Sequence, residues 1–298
     1  MNSQRVFLTG GTGFTGSHVA QRLVEAGFRV RALVRPRSDQ KYLHPAVERV
    51  TGILEDVDAL GQAMRECDVL VNVASIGFGH APGILAATRL AEVRRAVFFS
   101  STSLFTILSA KSKALRQEAE EAVVKSGLNW TILRPTMIYG SERDRNLCRL
   151  VRFIRKSPLI PVFGDGESLQ QPVYVDDLAI AVVSALKSAA SVGRAYNLPG
   201  AAPISYNRII ETIAALLGKH ARRVYLPPGP FISLMRTWEA TGLRAPLKAE
   251  QIQRLNEDKT FDYVAAQKDF AYSPRAFEEG IKQEIEKMGL LKAFSPQS

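Results

Sequence analysis

Three glycines, at positions 10, 13 and 16, stand in "VFLTGGTGFTGSHVAQRL", after a β-branched apolar run and directly before an amphipathic one. This spacing restricts the fold more than anything else in the chain. Gly10 permits a tight turn, Gly13 lets the backbone approach a pyrophosphate, and Gly16 lets a helix pack closely on the strand. The helix that follows turns free N–H groups and the positive end of its dipole toward phosphate oxygens. A strand, glycine loop and helix in this order form a dinucleotide cradle, and they predict a parallel sheet covered by helices.

The rhythm continues through the first half. "RVFLT", "RVRALV", "VERVTG", "DVLVNVA", "RAVFFSS" and "NWTILRP" read as strands, and helical patterns fill 17–26, 59–66, 82–93 and 111–126. Near-continuous apolar strands alternating with helices indicate a doubly wound parallel α/β sheet buried on both faces. After Pro135 the rhythm breaks, with prolines at 158, 161, 172, 199 and 203. "PVYVDDLAIAVVSALKSA" reads as a strand and helix returning to the sheet, with Asp176 or Asp177 as the helix N-cap. The expected organisation is a dinucleotide-binding domain over 1–135, rejoined by 173–198. A smaller, substrate-side domain takes 136–172 and 199–298, with helices over 205–217, 230–241 and 275–288.

The 298 residues carry a formal net charge of +10. The basic residues are dispersed, and the densest run, Arg143 to Lys156, has the spacing of a solvated helix face. No nucleic-acid reading motif is present, so specific nucleic-acid binding is not expected. No apolar run reaches the ~18 residues of a membrane span. The start, "MNSQRVFLTGG", has no basic and apolar leader, so a cytoplasmic location is the expectation. The two cysteines, Cys67 and Cys148, make neither a metal pattern nor a disulfide framework and read as buried thiols; no metal site is expected.

The end of the second strand selects the dinucleotide. An acid there would bind the ribose 2′-hydroxyl of NAD. The sequence instead runs "ALVRPRSD", placing Arg35, Arg37 and Ser38 at that point. An arginine fork suits a 2′-phosphate, so NADP(H) is preferred over NAD(H). Asp39 is the competing acid, but it lies past Pro36 and beyond the strand.

The motifs "TGGTGFTG", "ALVRPRSD", "CDVLVNVAS", "RAVFFSST", "WTILRPTMIYG", "PVYVDDLAIAV" and "FAYSPRAFEEGI" together resemble the short-chain dehydrogenase/reductase superfamily, in its extended or atypical branch. The first third is most similar to dihydroflavonol-reductase-like and sugar-epimerase-like members. The resemblance implies a Rossmann-type fold with a smaller C-terminal substrate-side domain. It also implies that Thr12, Phe14 and Thr15 line the pyrophosphate loop and that Ala74 and Ser75 flank the adenosine and ribose. Thr102 falls at the catalytic Ser/Thr position, and Pro135, Thr136 and Met137 would contact the nicotinamide end.

The chain departs from the pattern where the chemistry sits. The family pairs a tyrosine with a lysine four residues later, which lowers the tyrosine pKa. Aligning on Lys113 puts Ser109 at the tyrosine position, and a serine hydroxyl is far too weak an acid to replace it. Gln170 stands where sugar-nucleotide members carry a diphosphate-binding arginine. Ile53 takes the acidic adenine-side position, with Asp56 as a displaced substitute. Three functions follow. One is an NADP(H)-dependent oxidoreductase or epimerase-like enzyme acting on a carbonyl or hydroxyl of a small molecule, with Lys113 and Thr102 at the centre and Tyr139 or Tyr174 as alternative acids. The second is a non-catalytic NADPH-binding accessory or redox-sensing protein, in which Lys113 is a cofactor ligand only. The third, disfavoured by Gln170, is a nucleotide-sugar epimerase or dehydratase. The substrate is not legible, and a homodimer stays open.

Overall fold

The computed structural model describes residues 4–107, 111–241 and 249–291. From the first residues the chain runs β1 (Arg5–Thr9), α1 (Phe14–Glu25), β2 (Arg29–Val34), β3 (Glu48–Thr51), α2 (Val57–Met64), β4 (Val69–Asn72), α3 (Ala81–Leu90), β5 (Arg95–Phe99), α4 (Lys111–Val124) and β6 (Asn129–Pro135). Next come β7 (Ile138–Tyr139), α5 (Leu147–Lys156), β8 (Leu159–Phe163), β9 (Leu169–Gln170), β10 (Val173–Tyr174), α6 (Val175–Lys187) and β11 (Arg194–Leu198). The last elements are β12 (Ile204–Ser205), α7 (Tyr206–Leu216), β13 (Arg222–Leu226), α8 (Pro228–Ala240), α9 (Ala249–Leu255), α10 (Val264–Phe270) and α11 (Phe277–Lys287).

Two compact units result. The first comprises 1–138, 173–199 and 262–274; the second comprises 139–172, 200–261 and 275–298. In the first unit, seven strands lie in the order β11-β6-β5-β4-β1-β2-β3, each paired parallel with its neighbours. This is the doubly wound Rossmann order extended by one strand. Alternation along β1 shows why both faces close. Val6 and Leu8 enter a core with Val19 and Leu23 of α1 and Leu178 and Val182 of α6. Phe7 points the other way, toward Leu60 and Met64 of α2, Ile84 of α3 and Val123 of α4.

Three sequence expectations change. Helix α1 begins at Phe14, earlier than expected, because Gly13 serves as its N-cap without any side-chain bond. Neither Asp176 nor Asp177 caps α6: Tyr174 holds that position, and both acids lie in the first turn, where the helix dipole favours negative charge. The segment 262–274, read from sequence with the smaller domain, belongs to the first unit, where α10 inserts Ala266 and Phe270 beside Tyr196. In the second unit α5, α7 and α11 pack on one another. They bury Val151 and Ile154, Ile209 and Ile213, and Ile281 and Ile285 respectively.

Candidate cofactor and active site

The turn after β1 is built by its glycines. Gly10 has φ +70°, and a Cβ there would sit 2.8 Å from the Ala74 backbone nitrogen. A Cβ on Gly16 would fall 2.0 Å from the Gly10 carbonyl oxygen. The Gly13 N–H donates to that same oxygen at 3.0 Å, closing the loop. With a glycine as N-cap, the first-turn N–H groups of Phe14 and Thr15 have no intrahelical acceptor and no capping side chain. The residues therefore fit a pyrophosphate: backbone closeness is enforced, and the helix end is open to an anion.

Strand order puts the rest of the predicted cradle around that turn, since β2 and β4 are the neighbours of β1. After β4, a polar chain fixes the backbone. Thr9 Oγ1 donates to Asn72 Oδ1 at 2.6 Å, and Asn72 Nδ2 donates to the Ala74 carbonyl at 2.8 Å. Ser75 Oγ accepts from Gly77 N–H at 3.3 Å and caps the single 3₁₀ turn Ile76–Phe78. After β2, the Ser38 N–H donates to the Arg35 carbonyl at 3.0 Å, and Arg35 and Arg37 are exposed. Asp39 is spent on its own turn, accepting from Lys41 N–H at 3.0 Å. Asp56 is likewise engaged, capping α2 through Ala59 N–H at 3.0 Å.

The expected catalytic residues lie past β5. The 3₁₀ turn Thr102–Phe105 carries Thr102, 7% exposed, whose hydroxyl donates to the Pro135 carbonyl at 3.3 Å. The turn ends at Thr106, and the Thr106 carbonyl accepts from Lys113 Nζ at 2.7 Å. The two candidate residues are thus tied to one turn. Beside Thr102, Ser100 Oγ and Ser103 Oγ are buried without a hydrogen-bond partner among the described residues. Orphaned buried hydroxyls are uncommon and mark a place where a polar ligand fits. Ser109, at the missing tyrosine's position, lies outside the described residues. Met137 offers its carbonyl to Val173 N–H at 2.9 Å, and Thr136 N–H donates to Leu198 at 3.4 Å, so this segment is held by backbone bonds.

Several site residues were not singled out from sequence. Arg134 makes a two-pronged pair with Glu120 of α4, 20% and 7% exposed, and its guanidinium lies 5.4 Å from the Phe105 ring centroid. A charged residue inside an otherwise apolar strand was the available signal, because such a residue needs a buried partner. His18 Nδ1 contacts Asp176 Oδ1 at 2.5 Å, fastening α1 to α6. The alternative acids are packing aromatics in their surroundings. Tyr139 is 1% exposed with its hydroxyl donating to the Phe277 carbonyl at 3.4 Å, and Tyr174 is equally buried. Gln170 donates to the Glu257 carbonyl at 3.1 Å and accepts from Lys259 Nζ at 3.3 Å. Both cysteines are buried and unbridged, and burial pushes each thiol up to about 11.

The NAD(P)H-binding family model matches residues 10–156, and the 3-beta hydroxysteroid dehydrogenase/isomerase family model matches 104–227. The two matches, together with reductase relatives and epimerase-fold neighbours, support an extended, atypical short-chain dehydrogenase/reductase superfamily. The chain is thus a nicotinamide-dinucleotide-binding chain of an oxidoreductase and epimerase family. Among curated relatives, subunit 9 of the NADH dehydrogenase (ubiquinone) 1 alpha subcomplex of Arabidopsis thaliana mitochondria is 29% identical, over 83% of this chain and 67% of the relative. The 2-alkyl-3-oxoalkanoate reductase of Stenotrophomonas maltophilia is 24% identical, over 94% of this chain and 98% of the relative. Among solved structures, the UDP-glucuronic acid 4-epimerase of Bacillus cereus in complex with NAD superposes with a TM-score of 0.76 at 18% identity, covering 96% of this chain and 99% of that one. That superposition shows the shared fold. No helix among the described residues is long and apolar enough to cross a membrane.

Proposed function

We propose that the chain is an NADP(H)-dependent oxidoreductase acting on a small-molecule carbonyl, with Lys113 and Thr102 working without the family's tyrosine. The observation that carries this reading is the Lys113 ammonium held by the Thr106 carbonyl, on the turn that presents Thr102 between two unpartnered buried hydroxyls. The nicotinamide would supply the hydride. The chain must then stabilise the oxygen that becomes an alkoxide and give it a proton. The Thr102 hydroxyl, turned from the Pro135 carbonyl, would donate its one hydrogen bond to that oxygen but is too weak an acid to lose its proton near neutrality. The lysine ammonium carries both a full positive charge and a transferable proton, so it can do both jobs. Arg35, Arg37 and Ser38 would take the 2′-phosphate, which an exposed arginine fork binds with paired N–H groups.

Two measurements test the proposal together. Calorimetric titration should show NADPH bound more tightly than NADH. Single-turnover mixing with a panel of aldehydes and ketones should show NADPH oxidation, slow relative to tyrosine-bearing relatives. Equal affinity for the two cofactors would remove the dinucleotide assignment.

A second reading is a protein that binds NADPH without consuming it. Similarity to a subunit named for a respiratory complex favours it. Tight NADPH binding with no oxidation by any carbonyl in the panel would establish it in place of the first. Nucleotide-sugar epimerisation is less well supported, because the Gln170 amide is spent on Glu257 and Lys259.

A further inference from the structure

We infer that the carbonyl substrate carries a hydrocarbon tail, laid over an apolar rim formed by Phe78, Phe105 and Ile107. This inference rests on the carbonyl-reductase reading and names its substrate class. These side chains are 71%, 47% and 84% exposed, respectively. Large apolar side chains left singly on a surface need no explanation, whereas a group framing a site does. Here each belongs to a segment that frames Thr102 and Lys113. Phe105 is the last residue of the turn that begins with Thr102. Ile107 is the next residue after Thr106, whose carbonyl accepts from the Lys113 ammonium. Phe78 ends the 3₁₀ turn that packs against α4, where the Arg116 side chain covers Gly77 so closely that a Cβ there would lie 3.0 Å from it.

The polar groups divide in a complementary way. Ser100 Oγ and Ser103 Oγ are buried and unpartnered beside Thr102, which suits the oxygen-bearing head of a ligand. Arg134, the cation stacked over Phe105, is already neutralised by Glu120, so it offers little to a phosphate. A sugar nucleotide would bring hydroxyls and phosphates to a rim that has hydrocarbon to cover. A carbonyl compound with an alkyl chain matches both halves, because such sites bind through apolar walls and a few placed polar groups.

The test uses the full chain saturated with NADP+, which cannot reduce a ketone, and titrates methyl ketones from butanone to undecanone by calorimetry. Affinity should rise by roughly two- to fourfold per added methylene until the rim is covered. UDP-glucose should not compete. Ile107→Ser and Phe78→Ser, both at exposed positions, should flatten that dependence. A second arm measures single-turnover NADPH oxidation with the same ketones. Affinity indifferent to chain length, or UDP-glucose bound more tightly than undecanone, overturns the inference, as does a slope unchanged in both variants. Chain-length-dependent binding with no NADPH oxidation by any ketone leaves the tail site standing and overturns the reductase reading. Oxidation at a rate independent of chain length does the reverse.

Discussion

In the first unit, two buried carboxyl side chains meet partners of opposite charge or a hydroxyl donor. Arg134 faces Glu120, and Asp269 accepts from Tyr196 at 2.6 Å and pairs with Arg194. In the second unit, Glu284 is 0% exposed, and beside it lies another buried acid, Asp144. Burial first, and then the Asp144 charge, push the Glu284 carboxyl up to about 9, against the Gly140 N–H that donates to Oε2 at 2.8 Å. Its Oε1 has no hydrogen-bond partner among the described residues, and burial beside a second acid favours the protonated carboxyl. Asp144 accepts from the N–H groups of Asn146 and Cys148, at 2.7 and 3.2 Å. The contrast teaches that the buried acids Glu120 and Asp269 of the first unit are met by cations, whereas the buried Glu284 of the second lies beside another acid.

The largest break of this comparison should come from Gly16→Ala. Its Cβ would meet backbone, which cannot move aside, so we expect destabilisation above about 4 kcal/mol and loss of measurable cofactor binding. Gly27→Ala is the control: the same unit, φ +88°, but nothing within 4 Å of the added carbon. That variant should lose only about 1–2 kcal/mol in urea denaturation, the cost of a left-handed alanine.

Glu120→Ala should cost about 3–5 kcal/mol by leaving the Arg134 charge without its partner, read as a lower urea midpoint. The double variant Glu120→Leu/Arg134→Met should recover most of it, because a buried ion pair replaced by apolar groups is often neutral.

Glu284→Gln sharpens the contrast through pH. The folded protein keeps a proton on Glu284 that the unfolded chain releases above its ordinary 4.5. Folding stability from this group is therefore full below about 4.5, falls as pH rises toward 9, and is flat beyond. Glutamine keeps an acceptor for Gly140 and offers a donor to Asp144, so the variant should lose that slope. At pH 8 it should exceed wild type by on the order of a few kcal/mol. A slope identical in both proteins would remove the protonated Glu284 from the account. The smallest effect should be Arg35→Ala, which lowers NADPH affinity roughly tenfold and leaves NADH affinity unchanged.

How much was legible follows the same division. Glycine spacing and apolar runs are local signals, so the cradle, the six strands to Pro135 and their parallel order could be read directly. Thr102 and Lys113 came from resemblance alone; their connection through the Thr106 carbonyl depends on how the turn meets α4, which no spacing encodes. Arg134 and Glu120 are fourteen residues apart in sequence, and only the β6–α4 packing joins them. Glu284 was missed because an acid in "FEEGIKQEIEK" looks solvated. Yet it stands seven positions after Phe277 and three after Ile281, on the helix's buried stripe, and that periodicity was the available clue. The segment 262–274 was misplaced because its short helix carries no pairing signal of its own.

The central claim is that Lys113 supplies the charge and proton that a tyrosine supplies elsewhere in the family. Single-turnover NADPH oxidation, at saturating ketone, in wild type, Lys113→Met, Tyr139→Phe and Tyr174→Phe tests it directly. The account predicts that Lys113→Met slows the reaction by about a hundredfold or more while both tyrosine variants stay close to wild type. A tyrosine variant that abolishes the reaction, with Lys113→Met retaining it, would contradict the account.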